Sequence, residues 1–473
     1  MSTACFVLTG YNNTRVYDVA KLRDLCHQEY RARLVLVTDQ PKPQDAAAAD
    51  LVIAAPLSPL DQLNQLDQLN QLDQLNQLDQ LNQLDQLNQL DQPGRPGLDD
   101  GSDEPPPDAA AVAGQVAARL DRHDLRPIGV LPFSDRGVVL GAHLAARFGL
   151  PGAEPARAAL GLDKHRFRAV EAASADHPTG YTPLRSLVVH SLAEFEAAVA
   201  RFGGTAFVKP TSEGNSRGCQ HVPDLAACPA LWAALEPYHD RGVMVETLVT
   251  GAREYSWDFV GGARWLTEKR TTSGRFRAEF QQIVPAPLDE VQTALLDQGG
   301  AHVRQLVSPS NGAFHTELFL LEQGVAAVET NLRPGGMHIW DLARLAFPGF
   351  DPWREWLRWS TTGAVVHSRP QAQAVSGIRM LRAPRDGVVA SVPDVAAVAD
   401  ELGIPLHDGE LRAAPGQRVR TEIADNAGFV GQIILVADDA ATLLDRLDRL
   451  SEAVEERIDV DVDVDGRAGR GHG

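Results

Sequence analysis

Cysteine is scarce in this chain. Only four occur in 473 residues. Cys5, Cys26, Cys219 and Cys228 stand at spacings that fit neither a zinc site nor a disulfide framework, so ordinary reduced side chains are expected. Cys219 lies beside a glycine-containing loop, but a catalytic thiol needs a base, and the pattern offers none. Positive charge is short as well. Lys and Arg number 44 against 63 Asp and Glu, a net charge of −19, which argues against nucleic acid or an anionic membrane as partner. No charged-then-apolar leader follows Met1, and no apolar run is long enough to span a bilayer. A soluble, cytoplasmic protein is therefore expected. The first apolar run, Ala4 to Leu8, is not followed by G-x-G-x-x-G, so no dinucleotide site is assigned there.

What the chain does have is a concentrated stretch around residues 313–336. The runs Ala313 to Leu321 and Val325 to Asn331 flank Glu322-Gln323-Gly324, which reads as a β-hairpin closed by a three-residue loop. With the pairing centred on Gln323, Glu317 faces Glu329 and His315 faces Asn331. Asn331 and Arg333 share the face of Glu329, because side chains alternate along a strand. Carboxylates directly opposite one another destabilise a sheet. Two of them with an amide oxygen suit a hard cation such as magnesium. Arg333 then stands where its planar fork can bind phosphate, and Gly335-Gly336 lets backbone approach a ligand. The bland alternative is a solvated acidic hairpin followed by a Pro-Gly turn.

The length suits about three domains. Strands at Ala4 to Leu8, Leu34 to Val37 and Leu51 to Ala54 alternate with a helical pattern through Tyr17, Leu22 and Leu25, which implies a parallel, doubly wound sheet. From Asp61 to Gln92 the chain repeats Asp-Gln-Leu-Asn-Gln-Leu. A three-residue leucine period matches neither the 3.6 of a helix nor the 3.5 of a coiled coil. It is read as a low-complexity insertion at 58–108, running into a Pro-rich linker, with a solenoid or an oligomerising element as alternatives. A helix is expected from Ala109 to Leu120, then a strand from Ile128 to Phe133, with Ser134-Asp135 at its carboxyl end. Open α/β sheets bind ligands at such ends, but capping of the next helix is the preferred reading.

Asp163-Lys164 opens a basic helical stretch, and Ser191-x-x-Glu194 is a capping box. The strand Ala206 to Pro210 carries Lys209 and leads into Thr211-Ser212-Glu213-Gly214-Asn215-Ser216-Arg217-Gly218. A small hydroxyl- and glycine-containing loop after a strand lysine suits phosphate. It is not the P-loop, because the lysine precedes the glycines; the bland reading is a hairpin turn. Beyond it come Glu246-Thr247-Leu248-Val249, then Glu254 just past Gly251, and a basic, flexible-looking stretch from Lys269 to Arg277. Trp340, Trp353, Trp356 and Trp359 are expected to be core. The smaller C-terminal part has a strand near Gly428 to Val436 and a helix from Asp438 to about Arg457.

Taken in order, these pieces resemble the ATP-grasp superfamily over about Ala4 to Phe350 and onward to the C-terminal part. The resemblance rests on Asp163-Lys164, Phe207-Val208-Lys209-Pro210 with its loop, Val245-Glu246-x-x-Val249-x-Gly251…Glu254, and Glu317…Glu329-x-Asn331-x-Arg333-Pro334-Gly335-Gly336. The Arg-Pro-Gly-Gly ending is most like the L-amino acid ligase and carnosine-synthase-like branch.

The resemblance implies an α/β protein, α+β in its ATP-grasp part. A Rossmann-like pre-ATP-grasp domain would span 1–150, a two-lobed ATP-grasp domain 151–360, a small C-terminal α/β domain 361–458 and a flexible tail 459–473. It implies ATP with Mg2+ (two ions, Mn2+ as a substitute) and carboxylate–amine ligation through an acyl phosphate. Lys164 and Lys209 would hold phosphates under the Ser212–Gly218 loop, with Ser212, Gly214, Asn215, Ser216 and Gly218 as its contacts. Glu246, Leu248 and Val249 would meet adenine, and Glu254 the ribose. Glu317, Glu329 and Asn331 would hold metal, and Arg333 the transferring phosphoryl group. Gln282, Gly335, Gly336 and Met337 would touch substrate; Gln282 stands where such ligases often carry histidine, which puts the usual amino-acid contacts in doubt. The partners implied are a small carboxylate and a small amine, with a homodimer left open. A non-amino-acid carboxylate, a carboxylase-like component and a non-catalytic ATP-binding scaffold remain alternatives.

Overall fold

The computed structural model describes residues 2–11, 15–57, 108–214 and 216–461. The Leu repeat and the rest of the expected insertion before residue 108 lie outside the described residues, as does 462–473.

Strands β1 (Thr3–Thr9), β2 (Arg33–Thr38), β3 (Leu51–Ala54) and β4 (Leu125–Pro132) form a parallel sheet in the order β3-β2-β1-β4. Unbroken apolar runs such as Cys5-Phe6-Val7-Leu8 suit a sheet covered on both faces, and all four side chains are fully buried. Alternation sends Phe6 and Leu8 toward Val19 and Leu22 of the helix Val16–Tyr30. Cys5 and Val7 face the helices Ala109–Arg122 and Gly137–Phe148 on the other side.

A small antiparallel sheet follows. Strands β5 (Ser186–Val189), β6 (Ala206–Pro210), β7 (Gln220–Val222) and β8 (Val243–Glu246) take the order β5-β8-β6-β7. The helix Leu192–Arg201 covers it, burying Phe195, Ala198 and Val199. Half of the expected capping box is present: Ser191 Oγ accepts from Glu194 N at 3.3 Å, while the Glu194 carboxylate accepts from His190 N, one residue before the cap, at 2.7 Å.

The remaining strands are β9 (Arg253–Val260), β10 (Ala263–Thr271), β11 (Glu279–Val284), β12 (Ala313–Leu321), β13 (Gly324–Asn331), β14 (Val375–Leu381), β15 (Gly387–Ser391), β16 (Asp408–Leu411), β17 (Arg418–Val419), β18 (Gly431–Ala437) and β19 (Asp459–Asp461). Eight of them make one sheet, β13-β12-β9-β10-β11-β14-β18-β16. It crosses the boundary expected near residue 360, because β14 pairs directly with β11. A lesser sheet, β17-β15-β19, completes the C-terminal part. Residues 459–461 are thus a strand, where a frayed tail is the sequence expectation. Val460 is buried between two exposed aspartates, the alternation of a half-buried strand.

The helices Ile339–Ala346 and Pro352–Thr362 wedge between the parallel sheet and the large one. Trp340, Trp353, Trp356 and Trp359 are all buried in one core with Phe6, Leu8, Val260 and Ala313. The tryptophans are packing residues, as expected.

Candidate functional site

A cavity of about 1250 Å³ opens between the small sheet and the large one, and both the N-terminal and C-terminal parts contribute to its wall. Its floor is the hairpin β12–β13. Glu317 is paired with Glu329 and His315 with Asn331, as the sequence pattern predicts. The loop differs: Leu321 pairs with Gly324, leaving two residues, Glu322-Gln323, in the turn. Gly324 is drawn into the ladder because it packs on Gly180, whose carbonyl oxygen lies 2.0 Å from where a Cβ would be. Continued from that tip, the ladder would set Val328 opposite Glu317. A bulge skips Val328 and restores Glu329 to that place. One residue of slip would otherwise turn the carboxylate to the other face.

A bulged residue leaves backbone groups unpaired, and two cations take up this one. The Val328 carbonyl accepts from Arg168 Nη2 at 2.8 Å and from Lys209 Nζ at 3.3 Å. Arg168 also donates to Glu171 at 2.9 Å and Glu246 at 2.6 Å, while Lys209 reaches Glu246 at 2.7 Å. The Tyr181 hydroxyl closes the network on Glu171. Burial opposes ionisation of Glu246, but Arg168 and Lys209 outweigh it and hold the carboxyl below its ordinary value. Sequence reasoning gives Glu246 a backbone-led role at adenine; its side chain is an ion-pair partner that aims Lys209. Arg168 carried no such expectation.

Lys164 follows Asp163, whose carboxylate caps the helix Lys164–Ala173 by accepting from His165 N and Arg166 N. Its ammonium meets Glu329 Oε2 at 3.1 Å and the Glu213 carbonyl. Arg333 binds Asp135 through two parallel hydrogen bonds at 2.7 and 2.8 Å. Asp135 is therefore not the helix cap that the sequence favours: no side chain caps the helix Gly137–Phe148. The carboxylate is turned instead toward a guanidinium from the hairpin's end.

Two further charged groups, Lys269 and His315, meet at this face. Lys269, in a stretch expected to be flexible, is buried within β10, and its ammonium lies among Glu317, Glu279 at 3.5 Å and Glu254 at 3.6 Å. The cross-strand pairs Lys269–Glu254 and Lys269–Gln282 put it there. His315 has Asp258 Oδ1 at 2.8 Å from Nδ1 and Glu317 Oε1 at 3.3 Å from Nε2. Burial would lower its pKa, but Asp258 and Glu317 raise it to about 9. Burial also disfavours charge on Glu317, yet Lys269 and His315 hold that carboxyl well below the usual range. Glu254 is pushed the other way, to about 7, by burial and its neighbours Glu317 and Glu279, with Lys269 opposing. The period-two spacing of His315 and Glu317 was the available signal for this face.

Lys164, Lys209, Gly214, Ser216 and Glu246 line the cavity, as do Leu248, Val249 and Glu254. Glu317, Glu329, Arg333, Gly336 and Met337 line it too. Asn331 borders a small recess beside Lys164 and Glu329 instead. Ser212, Gly218, Gln282 and Gly335 stand off its wall. Gly218 has a φ of +70° and backs onto Pro210 and Tyr238, so it shapes the loop. Gln282 is buried by the β11–β14 pairing, and its Nε2 donates to Glu279 Oε1 at 2.6 Å. Any influence of Gln282 on the cavity passes through Glu279, which does line it. Asn215 lies outside the described residues. Among those residues no three His, Cys, Asp or Glu side chains converge as metal ligands; the set here is two carboxylates and an amide. Asn331 Nδ2 donates to Glu329 Oε1 at 3.3 Å, and both cations on Glu317 sit at Oε1. The Asn331 amide oxygen and Glu317 Oε2 thus remain as oxygen donors, a set that fits Mg2+.

The fold is one shared by solved ligases and carboxylases. The solved L-amino acid ligase from Bacillus licheniformis superposes with a TM-score of 0.68 at 13% identity, covering 96% of this chain and 98% of that one. The biotin carboxylase domain of the Hydrogenobacter thermophilus 2-oxoglutarate carboxylase, solved with MgADP, ADP and bicarbonate, superposes at 0.58 with 12% identity, covering 96% and 90%. Residues 379–459 match the family described as L-amino acid ligase C-terminal domain 2. A D-alanine–D-alanine ligase from Ectopseudomonas mendocina (strain ymp) is 37% identical over 93 residues, 20% of this chain. That match spans 28% of the ligase's length. Among the described residues no helix is long and apolar enough to cross a membrane.

Proposed function

We propose that this chain is an ATP-dependent carboxylate–amine ligase that forms an amide bond through an acyl phosphate, with amino acids as the substrate class. The observation that carries this reading is the convergence of Lys164, Lys209 and Arg333 on the cavity whose floor holds Glu317 opposite Glu329. In the reaction a substrate carboxylate oxygen attacks the γ-phosphorus of ATP and the bond to ADP breaks. The amine nitrogen then attacks the acyl carbon, the carbon–oxygen bond to phosphate breaks, and the nitrogen loses a proton to solvent. Free carboxylate and amine do not condense in water, so phosphorylation supplies the leaving group.

Each residue has a defined task. Lys209, aimed by Glu246, and Lys164, beside Glu329, neutralise the phosphate oxygens. The loop bearing Gly214 and Ser216 covers them. Leu248 and Val249 border the adenine with backbone groups, and Glu254 accepts from the ribose. Glu317, Glu329 and Asn331 would hold Mg2+, which when bound neutralises phosphate charge. Arg333 stabilises the charge on the transferring phosphoryl group. Catalysis of this kind is mainly positioning and charge neutralisation. Phosphate release from MgATP across single amino acids and their pairs tests the reading, with mass spectrometry of active mixtures. ADP formation that requires two amino acids and yields a condensed mass supports it. ATP turnover that no amine converts to an amide overturns it.

A further inference from the structure

Three strands bring a chain of polar side chains to one face of the large sheet behind Glu317. His315 and Asp258 are direct partners in the β12–β9 ladder, and Glu317 is paired with Ser256 in the same ladder. Asp258 is fully buried and His315 is 4% exposed. Both oxygens of the Asp258 carboxylate are engaged. Its Oδ2 accepts from Ser256 Oγ at 2.6 Å and Thr267 Oγ1 at 2.9 Å, and its Oδ1 accepts from His315 Nδ1 at 2.8 Å. With both oxygens engaged the carboxylate cannot rotate, so it fixes the ring. The ring's other nitrogen reaches Glu317 Oε1 at 3.3 Å, and Lys269 Nζ meets the same oxygen.

Both donors fall on one oxygen of Glu317, which pins the carboxylate through Oε1. A second observation ties the pair to the loop that carries Arg333. A Cβ at Gly335 would lie 2.9 Å from His315 Nδ1 and 3.2 Å from Asp258 Oδ1. The Gly335 backbone therefore rests directly on the Asp258–His315 contact.

We infer that Asp258 and His315 are positioning residues: they orient Glu317 toward a divalent cation and support the Arg333–Gly336 loop beside it. This rests on the reading of Glu317 as a metal ligand. Partners that orient a ligand in this way typically change metal affinity 10–100-fold when replaced.

The test is Mn2+ binding followed by electron paramagnetic resonance, with ADP present, on the full chain and on His315→Gln, Asp258→Asn and Gly335→Ala. ADP affinity in EDTA is measured alongside. The expected result is Mn2+ affinity reduced about 10–100-fold in the first two variants. Gly335→Ala should weaken it too, because that change keeps every donor and displaces the ring. ADP affinity without metal should stay within twofold of the parent. If the parent binds Mn2+ and His315→Gln binds it equally well, the positioning role is wrong. Parallel loss of metal-free ADP affinity in the folded variants would also overturn it, since the pair would then be supporting the whole pocket. A parent chain that binds no Mn2+ would instead overturn the metal site itself.

Discussion

Arg333 and Asp135 are 198 residues apart in the sequence and meet in a two-pronged ion pair. Asp135 stands at the carboxyl end of β4, so the parallel sheet holds the guanidinium that the hairpin delivers. Burial disfavours charge on Arg333, but Asp135 more than compensates and raises its pKa. Replacing Asp135 by Asn keeps the size and removes the charge. The expected outcome is a kcat lower by about tenfold to a hundredfold, as for a misplaced positioning group, with nucleotide affinity little changed. Arg333→Ala should cost about 10²–10³ in kcat. Steady-state kinetics with calorimetric nucleotide binding separates the two effects.

Glu317→Gln and Glu329→Gln each keep a side chain of the same size in the hairpin. Glu329→Gln relieves opposed like charges and should melt within a few degrees of the parent, whereas Glu317→Gln should melt lower, because it takes the carboxylate away from buried Lys269 and His315. Turnover should fall by at least about 10² through lost metal and phosphate stabilisation. Near-normal turnover at saturating Mg2+ would remove these residues from the metal site.

Arg168→Met should be mainly a stability lesion. It leaves the Glu171 carboxylate with only the Tyr181 hydroxyl, deprives Glu246 of one of its two cations and frees the Ala327 carbonyl. Removing one partner from a buried ionic network costs about 3–5 kcal/mol. Urea unfolding would read this directly, and Lys209 should lose its alignment at the same time.

Asp297 offers a pH test away from the site. Its carboxylate accepts from Trp257 Nε1 at 2.9 Å and Arg264 Nε at 2.8 Å, and it also pairs with Arg369. Burial alone would raise its pKa; these bonds lower it. A lowered folded value means that the stabilisation is complete above the unfolded pKa of about 3.9 and fades as pH falls through the folded one. Asp297→Asn should cost about 1 kcal/mol at neutral pH, since nearby solvent screens the charge. The difference from the parent should shrink as the pH drops below about 4. Thermal melts at pH 3 and pH 7 check both the sign and the window.

The legible parts of this protein are those with a local period. Alternation places Glu329 and Asn331 on one face, although the pairing of Glu317 with Glu329 is reached through a shorter turn and a bulge rather than a three-residue loop, and the apolar runs of β1, β2 and β3 sufficed for a parallel sheet. Asp135, Arg168 and Lys269 were not legible as site residues, because nothing near them in the chain marks their partners. Each is an ordinary charged side chain until tertiary packing brings Arg333, Glu246 or Glu317 against it. Gln282 shows the converse: a position suggested by family likeness is buried by β14, a strand whose pairing no local pattern announces. The bulge at Val328 is similar. No local pattern marks Val328 as the bulged residue; its position depends on Arg168 and Lys209 reaching the freed carbonyl.

The eight-stranded sheet has a consequence for any shortened form of this protein. Ending the chain before Val375 would remove β14, β16 and β18 and leave β11 with a bare row of backbone donors and acceptors. Exposed edges of that kind recruit other strands. Such a fragment would keep Lys164, Lys209, Glu317, Glu329 and Arg333 but lose the part of the cavity wall that Met380, Asp408, Glu410, Arg412 and Gln432 provide, and its expected fate is self-association and precipitation.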